Sequence, residues 1–195
     1  MSADVATPAD ARELGPMLAR AFDADPMFRF ILPSDASRVR QLTTFFGGVA
    51  RHVFTPIGAS VRLPNHGGAA LWLPPGVAQT RFVSSILVAP SIALGLGTGI
   101  ARALPLFTEM ERAHPKEPHF YLAVLGIDPP LQGKGLSKSL LAPTLARADA
   151  DRKLAYLETA KESNVAYYRR FGFDVTREVR LKDTPPLWCM TRTPR

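Results

Sequence analysis

A glycine-rich loop is the stretch of the sequence best suited to ligand binding. Gly133 and Gly135 flank Lys134, between an apolar strand-like run that ends in two prolines and a helix-period pattern that begins near Leu136. Because glycine lacks a Cβ, the loop backbone can take unusual dihedral angles and turn its N–H groups toward a bulky ligand. The helix that begins there adds unpaired N–H groups and the positive end of its dipole. With the charge of Lys134 and Lys138 added, the sequence predicts a site for a phosphate-bearing ligand.

Two common phosphate motifs do not fit this loop. A Walker loop reads Gly-x-x-x-x-Gly-Lys-Ser/Thr, whereas six residues separate Gly126 from Gly133 and Gly135 follows Lys134. The dinucleotide fingerprint reads Gly-x-Gly-x-x-Gly, and its last glycine would fall on Lys138. Triphosphate hydrolysis and dinucleotide binding are therefore not indicated.

The motif that remains, Gln132 to Ser137, resembles the pyrophosphate loop of the GNAT N-acetyltransferase superfamily. That loop reads Gln/Arg-x-x-Gly-x-Gly/Ala, and Ser137 replaces its final small residue here. Downstream, Tyr156–Thr159, Asn164 and Tyr168–Phe173 are similar in order and spacing to the second half of the same family's core.

A narrower resemblance covers residues 114–195. His114–Pro118, before the strand, and Trp188–Arg192, near the end, look like the group of antibiotic-resistance-type GNAT enzymes that includes puromycin N-acetyltransferase. Residues 1–113 match that group only in their order of helices and in Ala21–Pro26. The resemblance implies one domain over 1–195, with 1–113 on the acceptor side and 114–195 forming the acetyl-CoA-binding core.

The fold implied by the resemblance is the α/β (α+β) GNAT fold. Its centre would be a mixed, mostly antiparallel sheet of about six or seven strands, with helices on both faces. The two central parallel strands would splay apart. The activity implied is transfer of the acetyl group of acetyl-CoA to a primary amine by direct attack, without a covalent intermediate and without a metal.

The acetyl-CoA site implied by the resemblance comprises a strand end, the loop and two later residues. Its members are Leu125, Gly126, Ile127, Gln132, Gly133, Lys134, Gly135, Leu136, Ser137, Lys138, Asn164 and Tyr168. The backbone of Leu125–Ile127 would polarise the thioester carbonyl if the strands splay there. Asn164 would bond the pantetheine arm, and a helix N-cap is its alternative role.

Two catalytic residues are implied. Tyr168 matches the family tyrosine whose hydroxyl points at the coenzyme A sulfur, and a phenol can protonate a leaving thiolate. Glu158 falls near the end of a strand beside the acceptor, where it can take the amine proton directly or through water. Two other roles for Glu158 stay open, namely holding the acceptor ammonium and pairing with a surface cation. Tyr167 is expected to pack or to line a pocket.

The acceptor is expected to be a small hydrophobic or aminoacyl-type amine. The expected substrate-binding residues are Asp25, Phe28, Phe30, Tyr121 and Glu158, with Asp23, Trp72 and Phe82 as further candidates. The two aspartates also fit a turn, and the phenylalanines also fit a core. A protein or peptide N-acetyltransferase and a noncatalytic acetyl-CoA-binding module are the alternatives. The presence of both Glu158 and Tyr168 argues against the noncatalytic module.

Composition narrows the partners and the compartment. A net charge of +7 suits a polyphosphate cofactor, and no run of five or more Lys and Arg favours nucleic acid. Cys189 is the only cysteine, which excludes an internal disulfide and fits a cytoplasmic protein. The first residues contain no apolar signal segment, and the four histidines have neither metal nor Ser/His/Asp spacing. We expect a monomer or homodimer that binds no membrane.

Hydrophobic periodicity predicts the elements that position these residues. Helices are expected over 7–21, 34–49 with Val39 on its core face, 104–112, 136–148 with a bend or a lost hydrogen bond at Pro143, and 164–170 ended by Gly172. Strands are expected over 60–63, 69–73, 120–127 and 154–159, with a closing hairpin of 173–179 and 187–191. The first two strands should be central. The uncharged residues 82–101 are expected to form two helices split near Pro90 that cover the acceptor cleft, in preference to a membrane span.

Overall fold

The strands of this protein form one mixed sheet. The computed structural model describes residues 2–77 and 90–195. In those ranges the sheet has seven strands: β1 (Asp4–Val5), β2 (Val61–Arg62), β3 (Gly68–Leu73), β4 (His119–Ile127), β5 (Leu154–Thr159), β6 (Asp174–Val179) and β7 (Leu187–Arg192). Their order across the sheet is β1-β2-β3-β4-β5-β7-β6, and β4 with β5 is the parallel pair among otherwise antiparallel neighbours. The expected mixed, mostly antiparallel sheet is confirmed.

Helices pack on both faces of the sheet. They are α1 (Ala11–Phe22), α2 (Pro26–Ile31), α3 (Asp35–Val49), α4 (Pro90–Leu96), α5 (Ile100–Ala113), α6 (Ser137–Ala150) and α7 (Glu162–Arg169). Shorter helical turns cover Pro8–Asp10, Ala50–Phe54, Thr55–Ile57, Gly97–Gly99 and Pro129–Leu131. On β3, Leu71 faces the core formed with α1 to α5, whereas Trp72 faces the core formed with α6 and α7. This alternation buries both faces of the central strands.

The two parallel strands separate after a short paired segment. Their register begins at His119 with Leu154 and ends at Leu122 with Leu157. The pairing of β3 with β4 also shifts at this point, since Leu71 lies opposite Val124 but Trp72 lies opposite Leu122. Ala123 is therefore the extra residue of a β-bulge, a feature that bends a strand away from its ladder. The splay that the resemblance implied is present.

Several local expectations were wrong. Residues 26–31 form α2, which was not predicted because a helix of six residues is too short to show a periodic pattern. Val39 lies on the outer side of α3 and is 40% exposed, so it is not a core residue. β2 is a two-residue strand next to the edge strand β1, not a central strand. The expectation for Pro143 holds, because it lies inside α6, which continues from Ser137 to Ala150, and its missing N–H removes one helical hydrogen bond.

The uncharged segment 82–101 is described only from residue 90 onward. The expected first helix and Phe82 lie outside the described residues. From Pro90 the chain forms α4, which approaches α3 so closely that a Cβ at Gly95 would overlap the backbone of Phe45. Among residues 2–77 and 90–195, no helix is long and apolar enough to cross a membrane.

Candidate active site

The glycine-rich loop has the backbone conformation that its sequence predicts. Gly133 has φ +76° and Gly135 has φ +72°, both in the left-handed region that favours glycine. A Cβ on either residue would meet no atom within 4 Å, so the space beside the loop is open. Gln132 turns back and donates from Nε2 to the carbonyl oxygen of Ile127 at 2.9 Å. The loop thus joins the end of β4 to the N-terminus of α6 with open space at both glycines.

The free edge of β4 presents alternate amides to this space. The N–H of Asp128 bonds the carbonyl of Gly67 on the β3 side, and in an antiparallel ladder such bonds recur at every second residue. Gly126 therefore directs its N–H toward β3, while Leu125 and Ile127 direct theirs into the splay. Gly126 has a different role: a Cβ there would lie 2.5 Å from Cδ2 of Leu18, so its absence lets α1 approach the strand.

A groove follows the loop and the free edge of β4. It is lined by Ala21, Phe22, Asp25, Leu125, Gly126, Ile127, Leu131, Gln132, Gly133, Gly135, Leu136, Ser137, Lys161, Asn164, Tyr167 and Tyr168. We call it the loop groove. Ser137 Oγ and the hydroxyl of Tyr167 lie 2.5 Å apart in it and so tie α6 to α7. Lys134 and Lys138 are exposed and do not line the groove, whereas Lys161 does.

A second cavity, rich in aromatic rings, lies between α1, α2, α3, α5 and the sheet. It is lined by Phe22, Asp25, Met27, Phe28, Phe45, Phe46, Val49, Phe54, Phe107, Met110, Tyr121, Leu122, Ala123, Val124, Leu125, Glu158, Thr159, Ala160, Asn164, Tyr168 and Leu187. We call it the aromatic chamber. The ring of Phe46 lies 5.1 Å from that of Phe22 and 5.2 Å from that of Phe28, centroid to centroid. The first pair is tilted and the second is edge-on, and together these packed rings form an apolar wall.

The loop groove and the aromatic chamber meet at five shared residues: Phe22, Asp25, Leu125, Asn164 and Tyr168. Tyr168 is 7% exposed, and burial raises the pKa of its hydroxyl above the ordinary value, with Tyr167 and Asp25 adding to the effect. The hydroxyl therefore keeps its proton at neutral pH. A protonated hydroxyl thus lies where the two cavities join.

Glu158 lies in the aromatic chamber and not on the surface. Its side chain is 2% exposed, and Oε1 lies 3.2 Å from Nε2 of His114. The buried hydroxyl of Tyr121 also faces it; burial, followed by the charge of Glu158, raises the pKa of Tyr121 well above its ordinary value. The surface-cation role for Glu158 is therefore wrong. A carboxylate at the inner end of an apolar cavity can hold or deprotonate an ammonium.

Asp25 and Asp23 have separate structural roles. Oδ1 of Asp25 accepts hydrogen bonds from the N–H groups of Met27 at 3.0 Å and Phe28 at 3.4 Å, so Asp25 is the N-cap of α2. Burial raises the pKa of Asp25, while the charge of Lys161 and the two N–H bonds lower it. Asp23 instead pairs with the buried Arg38 at 2.9 Å. Asp25 lines both the loop groove and the aromatic chamber, whereas Asp23 lines neither of these two cavities.

The other expected residues divide between the two cavities and the core. Asn164 donates from Nδ2 to Oγ1 of Thr159 at 3.1 Å, and Lys161 occupies the N-cap position of α7, so the N-cap role for Asn164 is wrong. Phe28 and Tyr121 line the chamber, but Phe30 packs against the core outside it. Trp72 lies on the opposite face of the sheet.

Sequence reasoning missed several residues of the site. His114 contacts Glu158, but the motif that contains it, His114–Pro118, was used only for the family resemblance and gave this histidine no role in the site. Phe22, Phe45 and Phe46 were not among the expected site residues, because a cavity wall and a core give the same periodic signal in a helix. Lys161 had no signal beyond its place shortly after β5.

Comparisons with known proteins agree with this architecture. Residues 107–193 match the acetyltransferase (GNAT) domain family. A Corynebacterium glutamicum structure described as histone acetyltransferase HPA2 and related acetyltransferase is 26% identical, with a TM-score of 0.71 over 100% of this chain and 96% of that one.

Two more distant structures share the fold. Arylalkylamine N-acetyltransferase 2 from Aedes aegypti is 13% identical, with a TM-score of 0.58 over 99% of this chain and 98% of that one. Chaetomium thermophilum Naa20, solved in complex with a bisubstrate analogue, is 12% identical, with a TM-score of 0.54 over 100% of this chain and 87% of that one. The family match is thus to residues 107–193, and the whole chain shares the fold of these acetyltransferases. It is an acyltransferase, and its cofactor is acetyl-CoA.

Proposed function

We propose that this protein transfers the acetyl group of acetyl-CoA to the primary amine of a small aromatic or aminoacyl-type acceptor, as puromycin N-acetyltransferase and its relatives do. The whole of 1–195 would act as one domain, since both halves of the chain supply residues to the aromatic chamber. The observation that carries the proposal is the chamber itself, in which phenylalanine rings surround a cavity whose carboxylates are Asp25 and Glu158. Such a cavity suits a cation with an attached aromatic body.

The loop groove is the proposed acetyl-CoA site. Its fit to the cofactor is supported by the open space beside Gly133 and Gly135 and by the N-terminus of α6, which together can hold a pyrophosphate. The amides of Leu125 and Ile127, which face the splay, would bond the pantetheine arm and the acetyl carbonyl. Asn164, Ser137 and Tyr167 line the same groove. When bound, acetyl-CoA supplies an acetyl group on a thiol leaving group.

Tyr168 is proposed as the general acid. It stands at the junction of the two cavities and carries its proton at neutral pH, as a donor to a leaving thiolate must. Glu158 is proposed as the base that takes a proton from the acceptor ammonium. Direct transfer is supported by the state of Cys189, because burial raises the pKa of its thiol to about 11 and so keeps it from serving as a nucleophile.

A peptide acceptor is the competing proposal. The description of the Corynebacterium glutamicum neighbour names a histone acetyltransferase, and that of the Aedes aegypti neighbour names an arylalkylamine enzyme. The wall of the chamber favours the small acceptor here, since a lysine side chain would bring no ring to pack against Phe28 and Phe46. A histone-like chain would also need acidic surface, and this protein carries a net charge of +7.

The proposal is tested with purified protein, acetyl-CoA and three sets of acceptors: aromatic aminoacyl amides, arylalkylamines and lysine-containing basic peptides. Acetylated products are quantified by mass spectrometry, with the Tyr168→Phe variant as the matched control. We expect products from the aromatic amines and little from the peptides. Preference for peptides would overturn the acceptor assignment, and acetyl-CoA turnover without any acetylated amine would overturn the N-acetyltransferase assignment.

A further inference from the structure

Two side-chain hydroxyls face each other in the loop groove. Oγ of Ser137, the first residue of α6, lies 2.5 Å from the hydroxyl oxygen of Tyr167 on α7. Both residues line the groove and both are half-buried. We call these two side chains the hydroxyl pair. Because Ser137 is also the last residue of the glycine-rich motif, the pair lies at the end of the loop that we assign to the cofactor.

The hydrogens of the hydroxyl pair can be counted. The two hydroxyls carry two hydrogens, and one of these lies between the two oxygens, since they are within hydrogen-bond distance. Across residues 2–77 and 90–195, neither oxygen has another hydrogen-bond partner. The second hydrogen therefore has no acceptor in this part of the protein and is available to a molecule in the groove.

The chemistry of the two hydroxyls indicates which of them keeps the available hydrogen. A phenol is the stronger hydrogen-bond donor, and an alkyl alcohol is the better acceptor, so Tyr167 donates to Ser137. The available hydrogen is then that of Ser137. A hydroxyl that accepts one hydrogen bond is polarised by it and donates the next one more strongly. Tyr167 therefore both orients Ser137 and strengthens it as a donor.

The ring of Tyr167 is held by its neighbours on α7. Its centroid lies 5.3 Å from that of Tyr168 and 5.2 Å from that of Phe171. The guanidinium carbon of Arg170 lies 4.9 Å from the same ring centroid, within the range of a cation–π contact. The phenol is thus fixed before any ligand binds, so little conformational entropy is lost when the hydroxyl pair is used.

The charges of the loop groove favour an anionic acceptor for the Ser137 hydrogen. Among the described residues that line the groove, Asp25 is the one acid, and it lies at the junction with the aromatic chamber. Lys161 adds a positive charge to the lining. The space beside Gly133 and Gly135 is open. A pyrophosphate has only acceptor oxygens, so it matches a hydroxyl whose free group is a hydrogen.

We propose that Ser137 donates its hydroxyl hydrogen to a pyrophosphate oxygen of acetyl-CoA, and that Tyr167 is the positioning residue that holds Ser137 for this contact. The inference rests on the proposed assignment of acetyl-CoA to the loop groove. It adds a side-chain donor to the backbone N–H groups that the two glycines expose. Its loss should therefore weaken only ligands that carry the pyrophosphate.

The test compares two ligands in binding measurements that need no acceptor amine. Calorimetry gives the Kd of acetyl-CoA, and an NMR titration gives the Kd of S-acetylpantetheine, which lacks the pyrophosphate and the nucleotide. We expect Ser137→Ala to weaken acetyl-CoA about 10-fold, as for the loss of a hydrogen bond to a charged group, and to leave S-acetylpantetheine unchanged. Tyr167→Phe should weaken acetyl-CoA about 3-fold. In the Ser137→Ala background, Tyr167→Phe should add no further loss, since the donor it positions is gone.

Ser139→Ala is the matched control, because Oγ of Ser139 already donates to the carbonyl oxygen of Leu136 at 2.7 Å and Ser139 does not line the groove. It should change neither Kd. Equal losses for both ligands in Ser137→Ala would make the hydroxyl pair a structural tie between α6 and α7. Unchanged acetyl-CoA affinity in Ser137→Ala, or a larger loss in Tyr167→Phe, would also overturn the proposal.

Failure of this inference can be distinguished from failure of the groove assignment. If acetyl-CoA does not bind in the loop groove, Gly135→Ala will leave its affinity unchanged as well, and both proposals are wrong. If Gly135→Ala weakens acetyl-CoA and Ser137→Ala does not, the groove assignment stands and only the role of the hydroxyl pair is wrong.

Discussion

Tyr168 is the single residue on which the proposed chemistry depends most. It is buried, it keeps its proton, and it is shared by the loop groove and the aromatic chamber. The adjacent Tyr167 points elsewhere and bonds Ser137. Tyr168 places its hydroxyl at the junction of the two cavities, and Tyr167 places its hydroxyl in the loop groove alone. Replacing each in turn therefore measures the contribution of each hydroxyl separately.

Replacing Tyr168 with Phe keeps the ring and deletes the proton donor. We expect kcat to fall by about 10²–10⁴, with the Kd for acetyl-CoA little changed, because a general acid acts on the leaving group and not on binding. Steady-state kinetics and calorimetry measure the two quantities. Tyr167→Phe, the matched control, should instead affect mainly cofactor affinity. If Tyr168→Phe lost only affinity, the assigned role would be wrong.

At the scale of elements, the loop groove depends on two left-handed glycines and on the positive end of α6. Gly135→Ala forces a Cβ onto a residue with φ +72°, so the loop must distort away from the conformation that presents its N–H groups. We expect weaker binding of acetyl-CoA by calorimetry. Gly58→Ala carries a similar strain at φ +76° and also has open space around it, but it lies outside both cavities. Equal losses of acetyl-CoA affinity in the two variants would mean that backbone strain in general, and not the position of Gly135 in the loop groove, weakens binding.

Asp25, at the N-terminus of α2, lies at the junction of the two cavities. Its contribution as the N-cap of α2 can be measured separately from the contribution of its negative charge. Asp25→Ala removes the acceptor of two N–H groups and should cost about 1 kcal/mol of unfolding free energy. Asn also caps helices, so Asp25→Asn should retain most of that stability while removing the carboxylate. Denaturant unfolding measures the first effect and kcat/KM for the amine the second. If Asp25 helps to hold the ammonium, both variants lose activity; full activity in Asp25→Asn would limit Asp25 to capping.

At the scale of the whole molecule, the last strand is tied to α6 by Asp149 and Arg192. Nε of Arg192 bonds the carbonyl of Phe171, and its two terminal nitrogens contact the Asp149 carboxylate at 2.7 and 2.8 Å. Arg192 is 4% exposed, so this contact holds the carboxyl-terminal end of the chain against the acetyltransferase core.

The same pair gives the fold a defined response to acid. The hydrogen bond from Arg192 lowers the pKa of Asp149 from 3.8 to about 2. A carboxyl whose pKa is lower in the folded state stabilises the fold above its unfolded pKa, and this contribution is lost as pH falls toward the folded value. We expect the unfolding free energy to decline between pH 4 and pH 2, and less steeply in Asp149→Asn. An exposed acid on β6 supplies the control, Asp174→Asn, and an equal effect of both variants on the slope would contradict the assignment.

The parts of the fold that the sequence predicted are those with strong local signals. The apolar run of β4, the glycine loop and the Gly172 end of α7 each depend on neighbours in the chain. The contact between Glu158 and His114 could not be predicted from local signals, because the two residues are far apart in sequence and come together only when β4 and β5 pair in the folded sheet. The aromatic chamber was hidden for another reason: Phe28 and Phe46 give the same periodic pattern whether they face a core or a cavity.

The junction at Tyr168 also bears on whether the two proposed substrates are bound at the same time. Because the loop groove and the aromatic chamber share five lining residues and are otherwise separate, the acetyl-CoA and the amine proposed for them would both be bound before the transfer. Initial rates measured at several fixed concentrations of the second substrate should therefore give intersecting reciprocal plots, whereas parallel lines would indicate a ping-pong sequence. A compound in which coenzyme A is joined covalently to an arylalkyl group would occupy both cavities at once and so compete with either substrate. Once one part of this compound is bound, the other part is held near its own cavity at a high effective concentration.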